Sequence, residues 1–180
     1  MKALILDVET TGLLKPGAPI DKQPEITEYC GIVYDLKPEK GPKEIKRIHV
    51  LTKPRLPVSD EITRITGINN GMLKNAPRFG EVAASIKKQI ETAPVVIAHN
   101  ARFDRSVIAC EFLRLSIDVD WPRLICTIEQ TMHIKGHRLN LNALHEYLFG
   151  EKFSGAHRAD VDVFSVSRIA HALFHKGMLE

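Results

Sequence analysis

A mixed α/β layer fold is predicted by the way hydrophobic periodicity changes along the chain. Strand-like runs fill the first third, a β-branched run then leads into a helical stretch, and the remainder is helical. The first run, Ala3-Leu4-Ile5-Leu6, is continuously apolar and is stopped by Asp7, as expected of a strand buried on both faces. With 180 residues, 44% hydrophobic and 26% charged, the chain can bury a substantial core, and residues 1–180 are predicted to form a single domain.

The elements follow in order. Asp7-Val8-Glu9 closes the first strand, and because residues two apart on a strand share a face, its two carboxylates converge. Leu14 to Gln23 carries Pro16, Gly17 and Pro19 and reads as a loop beside that strand end, bordering a substrate. Glu25 to Leu36 and Lys43 to Leu51 are strand-like, and Pro38-Glu39-Lys40-Gly41-Pro42 between them predicts a hairpin, so the sheet begins antiparallel. Ser59 caps a short helix with Ile62 and Ile65 on its apolar side, and Phe79, Val82, Ala83, Ile86 and Ile90 recur at helical spacing. Pro94 to Ala98 is a buried strand, followed by a helix with Val107, Ile108, Phe112 and Leu115 on one face. Helices around Thr127–His133, Leu139–Leu148 and Ala159–Phe174 complete the chain, interrupted at Gly136 and Gly150. The last has Phe164, Ile169, Leu173 and Phe174 on its apolar side.

Composition excludes more than it assigns. A net charge of +3 and a pI near 8.8 permit a nucleic-acid partner without selecting one. Cys30, Cys110 and Cys126 are odd in number and widely spaced, which predicts reduced thiols in the cytoplasm rather than a disulfide framework or a zinc site. No run approaches a membrane span, and Asp7 interrupts the N-terminal apolar stretch too early for an export signal. A soluble protein with no membrane partner is expected.

The residues that carry chemistry are Asp7, Glu9, Asp104, His157 and Asp162. Magnesium is a hard cation that takes oxygen ligands, so a few converging carboxylates and a substrate phosphate make a reasonable site. Two ions about 3.5–4 Å apart and sharing Asp7 can serve an in-line displacement at phosphorus. Asp104 follows Ala98-His99-Asn100-Ala101-Arg102-Phe103 at a strand-to-helix junction, where clefts form in α/β sheets. His157 precedes a helix, and an imidazole that titrates near neutrality suits a general base. Residues two apart on a helix do not share a face, so spacing leaves Asp160 and Asp162 both open.

Other signals are weaker. His133 and His137 have Gly136 between them and no Glu follows His133, so zinc is not predicted. Lys135, His137 and Arg138, like Arg102 and Arg105, read as solvated surface that can face phosphate. The lysines around the hairpin read as solvated too, and Trp121 as a partly buried loop anchor.

Three segments together resemble the DnaQ-like exonucleases of the His-type DEDD family, which include the proofreading epsilon subunit of bacterial DNA polymerase III. They are Leu6-Asp7-Val8-Glu9-Thr10-Thr11-Gly12-Leu13, Ala98-His99-Asn100-Ala101-Arg102-Phe103-Asp104 and His157-Arg158-Ala159-Asp160-Val161-Asp162, in the family order. The resemblance implies an RNase H-like fold and a metal-dependent 3′-5′ exonuclease that releases nucleoside 5′-monophosphates from single-stranded or frayed DNA ends, in proofreading or repair. It implies that Asp7, Glu9 and Asp162 hold two Mg²⁺ ions, for which Mn²⁺ can substitute, with Asp7 shared and Asp104 nearby or acting through water. The family spacing selects Asp162 over Asp160 and makes His157 the general base. Thr10, Thr11, Gly12, Leu13, Asn100 and Phe103 are implied to meet the terminal nucleotide. The partner is then a single-stranded DNA or RNA 3′ end, since the same motifs would serve an exoribonuclease. A non-catalytic nucleic-acid-binding or polymerase-accessory module is the alternative from another class.

Some features depart from the family. The loop from Leu14 to Gln23 is long, Thr66 stands where some proofreaders have histidine, and Asp160 adds an acid. The sequence ends at Glu180 just after its last predicted helix, so a tail for a polymerase acting in trans is not expected.

Overall fold

The run Ala3–Leu6 makes the first strand central because its alternate residues feed two separate cores. In the computed structural model, which describes residues 1–155 and 157–179, this strand is β1 (Lys2–Thr10). It is followed by β2 (Ile26–Asp35), β3 (Lys43–Leu51), α1 (Asp60–Thr66), α2 (Asn70–Leu73), α3 (Phe79–Glu91) and β4 (Val96–Ala98). Then come α4 (Ala101–Arg114), β5 (Leu124–Cys126), α5 (Thr127–Lys135), α6 (Leu141–Phe149) and α7 (Ala159–His175). The strands form one mixed sheet in the order β3-β2-β1-β4-β5, with β1, β2 and β3 antiparallel and β1, β4 and β5 parallel. This is the predicted mixed α/β architecture with antiparallel first strands.

Leu4, Leu6 and Val8 pack with Ile86 and Ile90 of α3 and with Val107 and Phe112 of α4, whereas Ala3 and Ile5 pack with Val163, Val166 and Ala170 of α7. Strand alternation therefore turns Asp7 and Glu9 toward the α7 side. A register shift between Glu9 and Thr10 ends the regular pairing of β1 with β2. Such bulges re-aim side chains at strand ends. No helix among the described residues is long and apolar enough to cross a membrane.

Several sequence expectations need correction. β5 is a three-residue strand too short to show a periodic signal, and α2 has only four residues. Ile65 is 49% exposed, because the seven-residue α1 touches the small cluster of Val58, Ile68 and Leu73 through Ile62. Leu115 lies one residue past the end of α4 and is largely outside the core. Phe164 faces solvent, since the buried line on α7 runs through Ala159, Val163, Val166, Ile169, Ala170 and Leu173 at true helical spacing.

The segment between β1 and β2 has one short 3₁₀ turn, at Ile20–Lys22, yet it is firmly held. The Gln23 amide donates to the carbonyls of Lys15 (2.7 Å) and Ala18 (2.9 Å) and accepts from the Lys15 N–H (3.0 Å). From α4, the Arg114 guanidinium donates to the carbonyls of Ile20, Gln23 and Pro24. Glu111 pairs with Arg114 and accepts the Ile26 N–H at 2.8 Å. Backbone carbonyls that no strand satisfies are thus bonded by side chains.

Candidate active site

β1 and β4 are parallel neighbours, and the site forms where their C-terminal ends open, the usual position for a cleft in such sheets. Asp7 and Glu9 come from β1. Asp104 lies in the first turn of α4, just beyond β4, and Asp162 in the first turn of α7. Glu9, Asp104 and Asp162 are all less than a tenth exposed. Glu9, Asp162 and the exposed His157 each place a ligand-capable atom within 4.8 Å of the other two.

Crowding like charges in a poorly hydrated place raises their proton affinity. Burial pushes Glu9 up to about 8, helped by repulsion from Asp162, Glu28 and Asp104. Burial likewise raises Asp104 to about 8, against the pull of backbone N–H groups. Asp162 rises to about 6 through burial, moderated by the His157 N–H, which donates to its Oδ2 at 3.2 Å. Asp7 is raised well above the carboxylate range by burial and by Asp104, Asp162, Glu9 and Glu28. The Oδ1 atom of Asp162 is buried without a hydrogen-bond partner. A cluster of mutually repelling oxygen donors with one orphaned lone-pair atom fits a hard divalent cation.

The structure separates the two candidates on α7. Asp162 faces Glu9 and His157, whereas Asp160 approaches Glu28 and His49. Both His157 (φ 67°) and Asn100 (φ 68°) adopt left-handed backbone, a conformation that costs a non-glycine residue energy and is concentrated at functional positions. Asn100 Oδ1 accepts from Arg138 at 2.9 Å, which draws one residue of the basic Lys135–Arg138 segment to the second motif. Arg102 instead pairs with Glu129.

Around the first motif, the Thr10 hydroxyl donates to the Gly12 carbonyl at 2.6 Å, and the Thr11 hydroxyl accepts the Glu25 N–H at 3.0 Å. These bonds fold the chain back after Glu9 and leave Leu13 78% exposed. Phe103 is partly buried against the core. Thr66 is buried, its hydroxyl donating to the Ile62 carbonyl and accepting from the Ile68 N–H, so it closes α1 rather than facing the cleft.

The model of a family described as Exonuclease matches residues 4–169. The chain belongs to this exonuclease family. Relatives include a PolC-type DNA polymerase III of Caldanaerobacter subterraneus subsp. tengcongensis, 30% identical over 96% of this chain and 12% of that one. The DNA polymerase III subunit epsilon of Pasteurella multocida is 30% identical over 79% of this chain and 56% of its own length. The chain therefore spans only part of each. Among solved structures, the nuclease domain of 3′hExo, a DEDDh family member bound to rAMP, superposes with a TM-score of 0.78 at 16% identity, covering 99% of this chain and 94% of that one. Exonuclease X in complex with 5′ overhanging duplex DNA gives a TM-score of 0.66 at 21% identity, over 97% and 93%. The fold is the expected RNase H-like one of DEDDh exonuclease domains.

In this exonuclease domain one group of residues lies beyond what the motifs indicated. Glu28, opposite Glu9 across β1 and β2, is fully buried. It accepts from Arg158 Nε (3.0 Å) and Nη2 (2.8 Å) and from the Ala159 N–H (3.0 Å), and it meets His49 Nε2 at 2.8 Å. Burial raises its proton affinity, but the bonds from Arg158, His49 and Ala159 outweigh that and hold it below the usual range. Glu28 thus ties down the residues that follow His157 at the start of α7. The available signal was a lone acid inside an otherwise buried strand, which demands a partner.

Proposed function

We propose that this chain, residues 1–180 as one domain, is a 3′-5′ exonuclease that releases nucleoside 5′-monophosphates from single-stranded or frayed DNA ends. The observation that carries this reading is the meeting of Asp7, Glu9, Asp104, Asp162 and His157 at the C-terminal ends of β1 and β4 in a member of the exonuclease family. DNA is favoured because the 30%-identical relatives are named as DNA polymerase III proteins.

Asp7, Glu9 and Asp162 would hold Mg²⁺, or Mn²⁺ in its place. When bound, such ions supply positive charge that polarises the phosphate and offsets charge building on the leaving oxygen. His157, exposed on left-handed backbone, takes the proton of the attacking water. Asp162 accepts the His157 N–H and Glu28 grips Arg158 and Ala159, so the imidazole starts from a fixed backbone. Thr10, Thr11, Gly12 and Asn100 offer polar groups to the terminal nucleotide, and Leu13 and Phe103 offer apolar surface to its base. The three free cysteines suit a reducing cytoplasm.

The test is product chemistry. Single-stranded DNA incubated with the protein and Mg²⁺ should yield nucleoside 5′-monophosphates on chromatography and nothing in EDTA. Internal fragments or 3′-monophosphates as the products would refute the proposal.

A further inference from the structure

Asn100 occupies a helix N-cap position, yet its side chain does not cap. Asn69 before α2 and Asn140 before α6 have extended backbone, and their side chains accept the N–H groups of Met72 (3.0 Å) and Ala143 (2.8 Å). That is the ordinary task of an asparagine in such a place. Asn100, before α4, instead has left-handed backbone (φ 68°, ψ 42°) and makes no side-chain cap bond, while its backbone carbonyl accepts the Phe103 N–H at 2.8 Å. Glycine would hold this backbone without strain, so conformation alone does not require an amide there.

The amide is held from outside its own motif. Arg138, 38 residues along the chain, donates from Nη2 to Asn100 Oδ1 at 2.9 Å. The segment that carries Arg138 is fixed at both ends, by Gly136 in left-handed conformation after α5 and by Asn140 at the start of α6. Arg102, a nearer cation, is occupied by Glu129 at 3.0 Å. A guanidinium only donates, so the amide atom facing Arg138 must be the carbonyl oxygen, and the Nδ2 group is left for another partner. Among the described residues nothing accepts from it. Arg138 is exposed and Asn100 only half-buried, so the bond adds little to stability. What it does is select one of the two orientations of the amide.

We propose that Arg138 is a positioning residue for the terminal nucleotide, setting Asn100 so that a donor and not an acceptor meets the substrate. The proposal rests on the exonuclease reading above. The chemistry is matched, because the ionised phosphate oxygens of a nucleotide only accept hydrogen bonds, and a flipped amide would oppose lone pairs with lone pairs. Asn100 directly precedes the helical turn that carries Asp104, so a donor at this position stands beside the carboxylate cluster.

The test is steady-state hydrolysis of a 5′-labelled oligothymidylate in Mg²⁺ by the wild type, Arg138→Ala, Asn100→Gly and the double variant. Arg138→Ala should raise KM about 5–30-fold and leave kcat within about twofold, because the contact it weakens is made to the bound nucleotide. Asn100→Gly, which keeps the left-handed backbone, should do the same. The double variant should be no worse than Asn100→Gly alone, since Arg138 acts through the amide. Arg138→Lys keeps a donor and should recover part of the loss, and thermal unfolding of Arg138→Ala should coincide with that of the wild type. A fall in kcat at unchanged KM would overturn the proposal, showing that Arg138 only braces the turn that carries Asp104. A wild-type KM in Arg138→Ala or in Asn100→Gly overturns it too, as does a further rise in KM when Arg138→Ala is added to Asn100→Gly, the mark of a direct phosphate contact. Failure of the wild type to shorten the oligomer would overturn the exonuclease reading instead. Fluorescence anisotropy of the same oligomer with the wild type and Arg138→Ala then decides Arg138, with equal affinities overturning its role.

Discussion

Replacing Asp162 with Asn removes one charge from the carboxylate cluster, and the structure predicts a more stable but disabled protein when metal is absent. Asp162 is raised from 3.8 to about 6, so the folded state holds its proton more tightly than the unfolded chain does. Stability is therefore lost as pH rises from about 4 to about 6 and stays lost above that range. A shift of this size corresponds to about 3 kcal/mol. The Asn side chain keeps an acceptor for the His157 N–H but must bury an amide group where the Asp162 Oδ1 has no hydrogen-bond partner, which reduces the gain to about 1–2 kcal/mol. For a chain of this length that is a Tm increase of about 2–8 °C. Thermal unfolding in EDTA at about pH 8 reads it, and a second series near pH 4 should show the difference shrinking. Added Mg²⁺ should reverse the order, because only the wild-type carboxylate set gains from binding the ion. A variant that is less stable at about pH 8 in EDTA, or a gain that does not diminish toward pH 4, would refute the reasoning.

Three further outcomes follow from individual contacts. His157→Ala should lower turnover by about 10²–10⁴ while leaving Mg²⁺ affinity by calorimetry nearly unchanged, since its proposed task is proton transfer; undiminished turnover would remove it from that role. Glu28→Gln should cost about 2–3 kcal/mol in urea unfolding, less than a fully buried pair because Arg158 keeps contact with water, and should lower kcat more than it raises KM. A neutral effect on both would show that Glu28 does not position the start of α7. Gly31→Ala should destabilise by about 1–3 kcal/mol, because a Cβ there would lie 2.5 Å from the Tyr29 hydroxyl and from Gln89 Oε1. Its kcat should be unaltered, and a stability equal to wild type would mean that this buried hydrogen-bonded pair yields more easily than the packing indicates.

The long elements were legible because their periodicity is set by burial. β1 shows as a continuous apolar run buried on both faces, the β2–β3 hairpin as two strand-like runs around a cluster of turn formers, and α3, α4 and α7 as apolar residues repeating at the spacing of the face they bury. β5 and α2 are too short to accumulate such a signal, and β5 exists because β4 offers it a parallel edge. The choice between Asp160 and Asp162 could not come from spacing, since it depends on how α7 is rotated against β1. The buried face through Val163 and Val166 supplies that rotation. The Glu28–Arg158 pair joins residues 130 positions apart, a distance no local pattern spans. The loop after β1 was readable as a loop, but its rigidity depends on Arg114, from a helix far along the chain.

In the function proposed here these carboxylates run a metal-dependent attack from the 3′ end of a strand. The most direct measurement follows 5′-labelled DNA and RNA oligomers of one sequence with Mg²⁺, beside EDTA and Asp7→Asn controls. A ladder that shortens stepwise from the 3′ end, faster on DNA and absent in both controls, is the predicted result. Intact strands retained tightly by the wild-type protein would contradict catalysis and leave a binding module, and a ladder that persists in Asp7→Asn would contradict the assigned site.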